Sequence, residues 1–157
     1  MSWQTLADVC TRLSSGKSIP SLKVKKNGRF PVIGGNGIRG YADEYNFSGE
    51  CAVIGRQGAA CGNVHFFSGK AYITEHAVVA CTNTHHNAHY LAYLLSTQQL
   101  GRLSAQSAQP GLSVKTLSRF EVNLPSIQIQ EQVVQLLGTI DKKIELNNQL
   151  NDYLLAA

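Results

Sequence analysis

Leu124-Pro125-Ser126-Ile127-Gln128-Ile129-Gln130 divides this chain into two kinds of sequence. Proline fixes φ and removes a backbone donor, and it biases the residue before it to extended backbone, so one element ends here and another begins. Downstream, Val133, Leu137, Ile140 and Ile144 recur in steps of four, three and four, the spacing of a coiled-coil seam. The register runs on through Asn147 and Asn151 to Leu154, and Gln130 at its head is grouped with it as part of a partner helix. From Ile129 to the end is about 29 residues, roughly 43 Å of helix at 1.5 Å per residue. Only Gly138 interrupts, at a cost of about 1 kcal/mol relative to Ala. Such a helix is longer than a domain of about 120 residues is wide, roughly 30 Å, so it needs a partner helix. Asn at seam positions costs stability but restricts register, which argues for a specific pairing. The alternative is a far end that frays into solvent.

Upstream, short β-type runs alternate with glycine turns. The β-branched and aromatic content predicts strands at 29–33, 50–54, 64–67, 71–74, 77–81 and 120–124. Gly34-Gly35-Asn36-Gly37 reads as a tight turn, and Ser68-Gly69 as another. One helix interrupts at 87–103, where Leu91, Leu94, Leu95 and Leu100 form an amphipathic pattern and Asn87 supplies the cap. A polar stretch at 104–113, broken by Pro110-Gly111, reads as a surface loop. The expected architecture is α/β. A strand-rich domain over residues 1–125, with glycine-rich loops and one internal helix, precedes a long coiled-coil-forming helix over residues 126–157.

Charge follows the same division. Residues 1–120 hold twelve Lys or Arg against five Asp or Glu, a net +7, whereas residues 121–157 hold two against five, a net −3. Between Cys51 and Phe120 the only acid is Glu75. A basic domain beside an acidic helix suggests a different partner for each, with phosphate backbone the obvious one for the first; solubilising charge is the bland alternative. No apolar run approaches the ~20 residues of a membrane span, and Met1-Ser2-Trp3-Gln4-Thr5 lacks the pattern of a secretion signal. Cys10, Cys51, Cys61 and Cys81 are scattered, without metal or redox spacing, and read as reduced thiols. The expectation is a cytoplasmic protein without membrane contact.

The residues for catalysis are poorly arranged. His85 and His89 are four apart, with His86 beside them and His76 nearby, but no acid stands where a metalloprotease needs one. Cys51 and Cys81 lie in apolar runs where a small buried hydrophobe is the default; only Cys61 lies in a glycine loop. No glycine loop ends in Lys and Ser or Thr, so ATP binding has no support. We therefore expect no catalytic residue, no metal and no cofactor.

Four phrases stand in a fixed order: Ser15-Gly16-Lys17-Ser18-Ile19-Pro20-Ser21; Phe30 to Tyr41, with its strand, glycine turn and Gly40-Tyr41; Val53-Ile54-Gly55-Arg56-Gln57-Gly58-Ala59-Ala60-Cys61-Gly62; and Gln109-Pro110-Gly111-Leu112 followed by the Leu124 to Gln130 junction. Together they resemble the specificity subunits of type I restriction-modification systems. Asp141 and Ile144 also sit where that family's spacer helix has Asp and Ile. Ile129 stands where a Glu is frequent. The family's usual subunit carries two recognition domains and two spacer helices, and this chain has one of each. The resemblance implies a non-catalytic recognition domain for double-stranded DNA that reads half of a bipartite target. It also implies a spacer helix that docks methyltransferase subunits, with methylation and cleavage on methyltransferase and restriction chains. A second copy, its helix antiparallel to the first, would make a homodimer and supply the other half. The alternative is a truncated adapter that docks through its helix without productive DNA binding alone.

DNA recognition needs cations for phosphate and rigid polar groups for base edges. Arg56, between Gly55 and Gly58, suits guanine, and Gln57 beside it suits adenine. A structural role for Arg56, bonding turn carbonyls, is the competing reading. Asn36, Arg39 and Tyr41 flank the second glycine turn; Asn36 is either a base contact or a left-handed turn position. Lys17 and Ser18 suit phosphate, and Gly58, Gln106 and Gln109 complete the candidate set. Lys23, Lys25 and Lys26 form a basic run that is either a solvated face or a phosphate contact.

Overall fold

In the computed structural model, residues 2–104 and 111–157 are described. The chain opens with β1 (Ser2–Thr5), a one-turn α1 (Leu6–Val9) and β2 (Cys10–Ser15). The turn is stopped short by its own ends. Thr5 and Asp8 form a capping box, and Cys10 is already extended. Then come β3 (Phe30–Gly34), β4 (Gly37–Ala42), β5 (Phe47–Gly55), β6 (Val64–Ile73) and β7 (Ala77–Thr82). After these follow α2 (Ala88–Ser96), α3 (Val114–Ser118), β8 (Glu121–Leu124) and α4 (Ile127–Ala156).

Six strands form one sheet in the order β2-β7-β5-β6-β3-β4, and β1 pairs antiparallel with β8 in a separate ribbon. All neighbours in the large sheet are antiparallel except β3 and β6, which run parallel. The adjacent strands β5, from Cys51 on, and β7, up to Ala80, are buried on both faces. Ala52, Ile54, Val78 and Ala80 point to a core shared with Leu91 and Leu95 of α2, Leu6 and Val9 of α1 and Leu117 of α3. Their sequence neighbours Cys51, Val53, Ala77 and Val79 point to the opposite core with Ile33, Phe47, Ala71 and Ile73. That period of two on a double-sided strand explains the continuous apolar runs.

The architecture matches the expected α/β class, with local differences. Ser68-Gly69 is no turn: β6 runs straight through it, and Gly69 pairs with Gly49. Both glycines carry positive φ, +127° and +133°, which their missing side chains permit, within an unbroken antiparallel register. The internal helix begins at the expected cap, where the Asn87 side chain accepts from the His89 and Tyr90 amides, but it stops at Ser96. Gln99 then takes φ +51°, and a 3-10 stretch Leu100–Ser104 buries Leu100.

The ribbon of β1 and β8 ends at Leu124, so α4 leaves from one edge of the domain. Its thirty residues span roughly 45 Å. Only the first turns touch the domain, through α2. Val133, Val134, Leu137 and Gly138 are half-buried, and residues 139–157 are exposed throughout. Gln130 corrects the sequence reading. It is 0% exposed and turned into the domain, where backbone groups of Asn87 and Pro125 engage both ends of its amide. Its Oε1 accepts from Asn87 N (2.9 Å), and its Nε2 donates to Pro125 O (2.8 Å) and lies 3.2 Å from His86 Nδ1. Tyr93 of α2 adds a hydrogen bond to the Asp141 carboxylate.

Candidate nucleic-acid interface

Three glycine-bearing segments that are far apart in sequence meet at one end of the large sheet, on the turn between β6 and β7. Gly16 N donates to Ala77 O (3.1 Å) and Lys17 N to Ile73 O (3.0 Å). Thr74 N donates to Ile33 O (2.9 Å), and Arg56 N donates to His76 O (3.0 Å). Backbone therefore packs on backbone here, and side chains would obstruct it. A Cβ on Gly55 would stand 2.2 Å from Ala60 O and 2.8 Å from Gly35 O, and one on Gly35 would stand 3.0 Å from His76 O.

The result is a cleft of about 300 Å³ lined by Gly34, Gly35, Asn36, Gly37, Ile38, Arg39, Gln57, Ala60 and His76. Asn36 and Arg39 are exposed on the β3–β4 hairpin. The left-handed position of that turn is Gly37, at φ +93°, so Asn36 is not spent on backbone geometry. The Arg39 stem lies over Gly34, whose missing side chain leaves room for it. Gln57 and Gly58 are exposed just after β5, and Gln57 Oε1 lies 2.7 Å from His76 Nδ1. Arg56 is half-buried, with a buried Nε that has no hydrogen-bond partner among the described residues. Its backbone carbonyl accepts from Leu112 N (2.8 Å), and Gln57 bridges to Gly111.

Lys17 and Ser18 are exposed on the neighbouring loop, where Tyr72 Oη donates to Ser18 O (2.9 Å). Tyr41 is not brought to the cleft. It lies four residues along β4 from the turn, its backbone paired with Lys25 on one side and Pro31 on the other. Gln106 and Gln109 lie outside the described residues. The basic run is partly neutralised: Lys23 pairs with Glu44 (2.9 Å) and Lys25 with Asp43 (2.5 Å), all half-exposed. Lys17, Arg39 and Arg56 have no ion-pair partner among the described residues. Unpaired cations beside exposed amides suit phosphate and base edges.

Sequence reasoning missed His76 as a member of this group. Its Nε2 lies 3.5 Å from Glu75 Oε1. The available signal was the isolation of Glu75 as the only acid over a long basic stretch.

His86 and His89 are half-buried, whereas His65 and His85 are exposed. His89 is stacked between Phe66 (3.9 Å between centroids) and Tyr93 (4.6 Å). Burial lowers its pKa below the usual 6.5, against the pull of Asp141 and Glu50. Burial, then the charge of His85, lowers that of His86. Tyr93 is pushed up to about 12 by burial and its bond to Asp141. No group of three metal-ligating side chains occurs among the described residues. Burial pushes the Cys10 and Cys51 thiols up to about 12 and raises that of Cys81, which disfavours the nucleophilic thiolate.

On α4 the outward stripe is apolar. Ile140 is 48% exposed, Ile144 53% and Leu154 61%, with Asn147 and Asn151 in the same register and Val133 and Leu137 half-buried at its base. No helix among the described residues is long and apolar enough to cross a membrane.

Comparison with known proteins gives a consistent result. Over 112 residues, 71% of this chain, it is 42% identical to the specificity subunit of the Escherichia coli type I restriction enzyme EcoprrI, of which it covers 28%. It is 25% identical to a type I specificity subunit of Mycoplasma pneumoniae over 94% of this chain and 54% of that one. The chain thus spans about half or less of the length of these relatives. Its fold is that of the S subunit of a type I restriction-modification system from M. genitalium, with TM-score 0.82 at 20% identity over 94% of this chain and 41% of that one. The HsdS subunit of Thermoanaerobacter tengcongensis follows at TM-score 0.67 and 18% identity, over 92% and 38%. The family model for the type I restriction modification DNA specificity domain matches residues 2–156. Matched over all but its terminal residues, the chain belongs to the type I restriction-modification DNA specificity domain family.

Proposed function

We propose that residues 1–125 recognise a short stretch of double-stranded DNA, one half of a bipartite target, and that residues 126–157 hold this unit at a set distance from a second one. The observation that carries the reading is the convergence of the loops bearing Lys17, Asn36, Arg39, Arg56 and Gln57 on one end of the sheet. Arg39, Arg56, Gln57 and Asn36 read base edges, while Lys17 and Ser18 position the phosphate backbone. The chemistry of methylation and cleavage belongs to methyltransferase and restriction chains that this chain assembles, and the chain itself carries no catalytic group.

The exposed stripe through Ile140, Ile144 and Leu154 pairs with the same stripe of a second copy, antiparallel, to give a two-fold symmetric homodimer. The faces of the helices left free by that pairing dock the methyltransferase. Two symmetric copies read a target with symmetric halves.

Binding of the chain to random duplex DNA, measured against salt, tests the reading. Phosphate contacts give a steep negative slope. Lys17→Ala is expected to weaken all sequences alike, and Arg39→Ala to relax preference at one base pair by about 1–3 kcal/mol. Binding without salt dependence, or uniform loss from both variants, overturns it. Mapping of methylated sites in cells carrying the chain with its methyltransferase then identifies the target.

A further inference from the structure

Gln57 and His76 come from different loops and meet across the cleft, with Gln57 Oε1 2.7 Å from His76 Nδ1. The other ring nitrogen, Nε2, lies 3.5 Å from Glu75 Oε1. Oε1 can only accept, so the 2.7 Å contact is a hydrogen bond in which Nδ1 carries the ring proton and donates. The surrounding charged groups are Glu75 on the same turn, Arg39 lining the same cleft, and Arg56, whose backbone N donates to His76 O (3.0 Å).

This geometry has a consequence for what Gln57 offers a ligand. A primary amide carries one acceptor oxygen and one N–H₂ donor. With Oε1 turned onto the imidazole, one of its two lone pairs is engaged and the oxygen faces the protein, so the N–H₂ group is the end of the amide turned away from that contact and free to meet a ligand. Bidentate pairing with adenine needs both ends of the amide, a donor to N7 and an acceptor from N6. Guanine presents only acceptors, N7 and O6, on the same edge.

We propose that His76 is a positioning residue for base readout: by holding Oε1 of Gln57 it orients the amide so that its N–H₂ end meets the ligand, which selects a base edge made of acceptors. Guanine is favoured over adenine at that position, which reverses the pairing that the residue type of Gln57 alone suggests. The inference rests on the cleft being the DNA interface, and it names how one side chain there discriminates.

The test is selection of preferred sites from random duplex DNA by the whole chain and three variants. Gln57→Leu identifies the base pair that Gln57 reads, as the one whose preference disappears. His76→Leu removes the hold on Oε1, so at that same pair the preference for guanine over adenine is expected to fall about tenfold. His76→Asn keeps an N–H donor near the Nδ1 position and is expected to retain the wild-type preference, which a merely structural role for His76 would not produce. Thermal unfolding of each variant separates loss of fold from loss of readout. The proposal is overturned if His76→Leu keeps the guanine preference, weakens all sequences equally, or behaves as His76→Asn does. It is also overturned if Gln57→Leu alters no base pair, an outcome that leaves Arg39 and Arg56 as readers and the proposed function standing. Absence of sequence-selective binding by the wild-type chain overturns both.

Discussion

The end of the sheet that holds the cleft and the outer half of α4 are built on opposite principles. At the cleft, position depends on backbone packed against backbone, with glycines at the contacts and residues from three distant segments. Along α4, position depends on one continuous hydrogen-bonded helix whose residues from 139 on are exposed. The first region exposes cations, and the second exposes apolar residues. Glycine therefore has opposite meanings in the two places, and a substitution that damages one improves the other.

The sharpest contrast is Gly55→Ala against Gly138→Ala. The added methyl at Gly55 meets Ala60 O at 2.2 Å, backbone that cannot yield without moving the hub, so a loss of about 3 kcal/mol is expected in chemical denaturation. If Gly55→Ala were neutral, the packed hub would not be the organising feature of the cleft. Next in size, Ile140→Lys with Ile144→Lys introduces charge into the exposed stripe. If the stripe is a pairing surface, sedimentation will show the dimer dissociation constant raised about 100-fold, from roughly 3 kcal/mol of lost burial, while the thermal midpoint of the dissociated domain stays unchanged. An unaltered sedimentation profile would leave the stripe without a partner copy.

A pH effect follows at the contact where the two regions join. The pKa values of His86 and His89 are lowered in the fold, so the folded protein binds fewer protons there than the unfolded chain. Stability is full above the usual 6.5 and declines as pH falls through 6.5 towards the folded values. His89→Phe, which keeps an aromatic ring between Phe66 and Tyr93, is expected to flatten that decline in thermal unfolding; an unchanged slope would remove His89 from the account. Smallest is Gly138→Ala. A Cβ there has nothing within 4 Å, and helix propensity alone predicts a gain of about 1 kcal/mol at most.

What could be read without the structure was whatever local rules decide. Asn87 was legible as a cap because its partners, the His89 and Tyr90 amides, are two and three residues away. The Gly34 to Gly37 turn and the long helix after Pro125 were legible for the same reason. The extent of the second helix was not: Leu100 keeps the amphipathic spacing, but it is buried from a 3-10 stretch after the chain has turned at Gln99. Ser68-Gly69 misled because a glycine inside a strand and a glycine in a turn look alike until the partner, Gly49, is known. Residues 2–15, a four-residue strand, one helical turn and a second strand, carry too short a period to announce any of them.

By itself the sequence determined the α/β class, the position where strand gives way to the long helix and the separation of basic from acidic charge. These depend on contacts between near neighbours or on composition, which a linear reading contains. The tertiary structure alone decided that Gly16, Gly35, Gly55 and the turn at Thr74 to Ala77 pack together, that His76 holds Gln57, that Tyr41 stays apart, and that Gln130 faces inward to anchor α4. Each of these pairs groups far apart in the chain. Only the folded backbone, with its glycines allowing the approach, sets their distances.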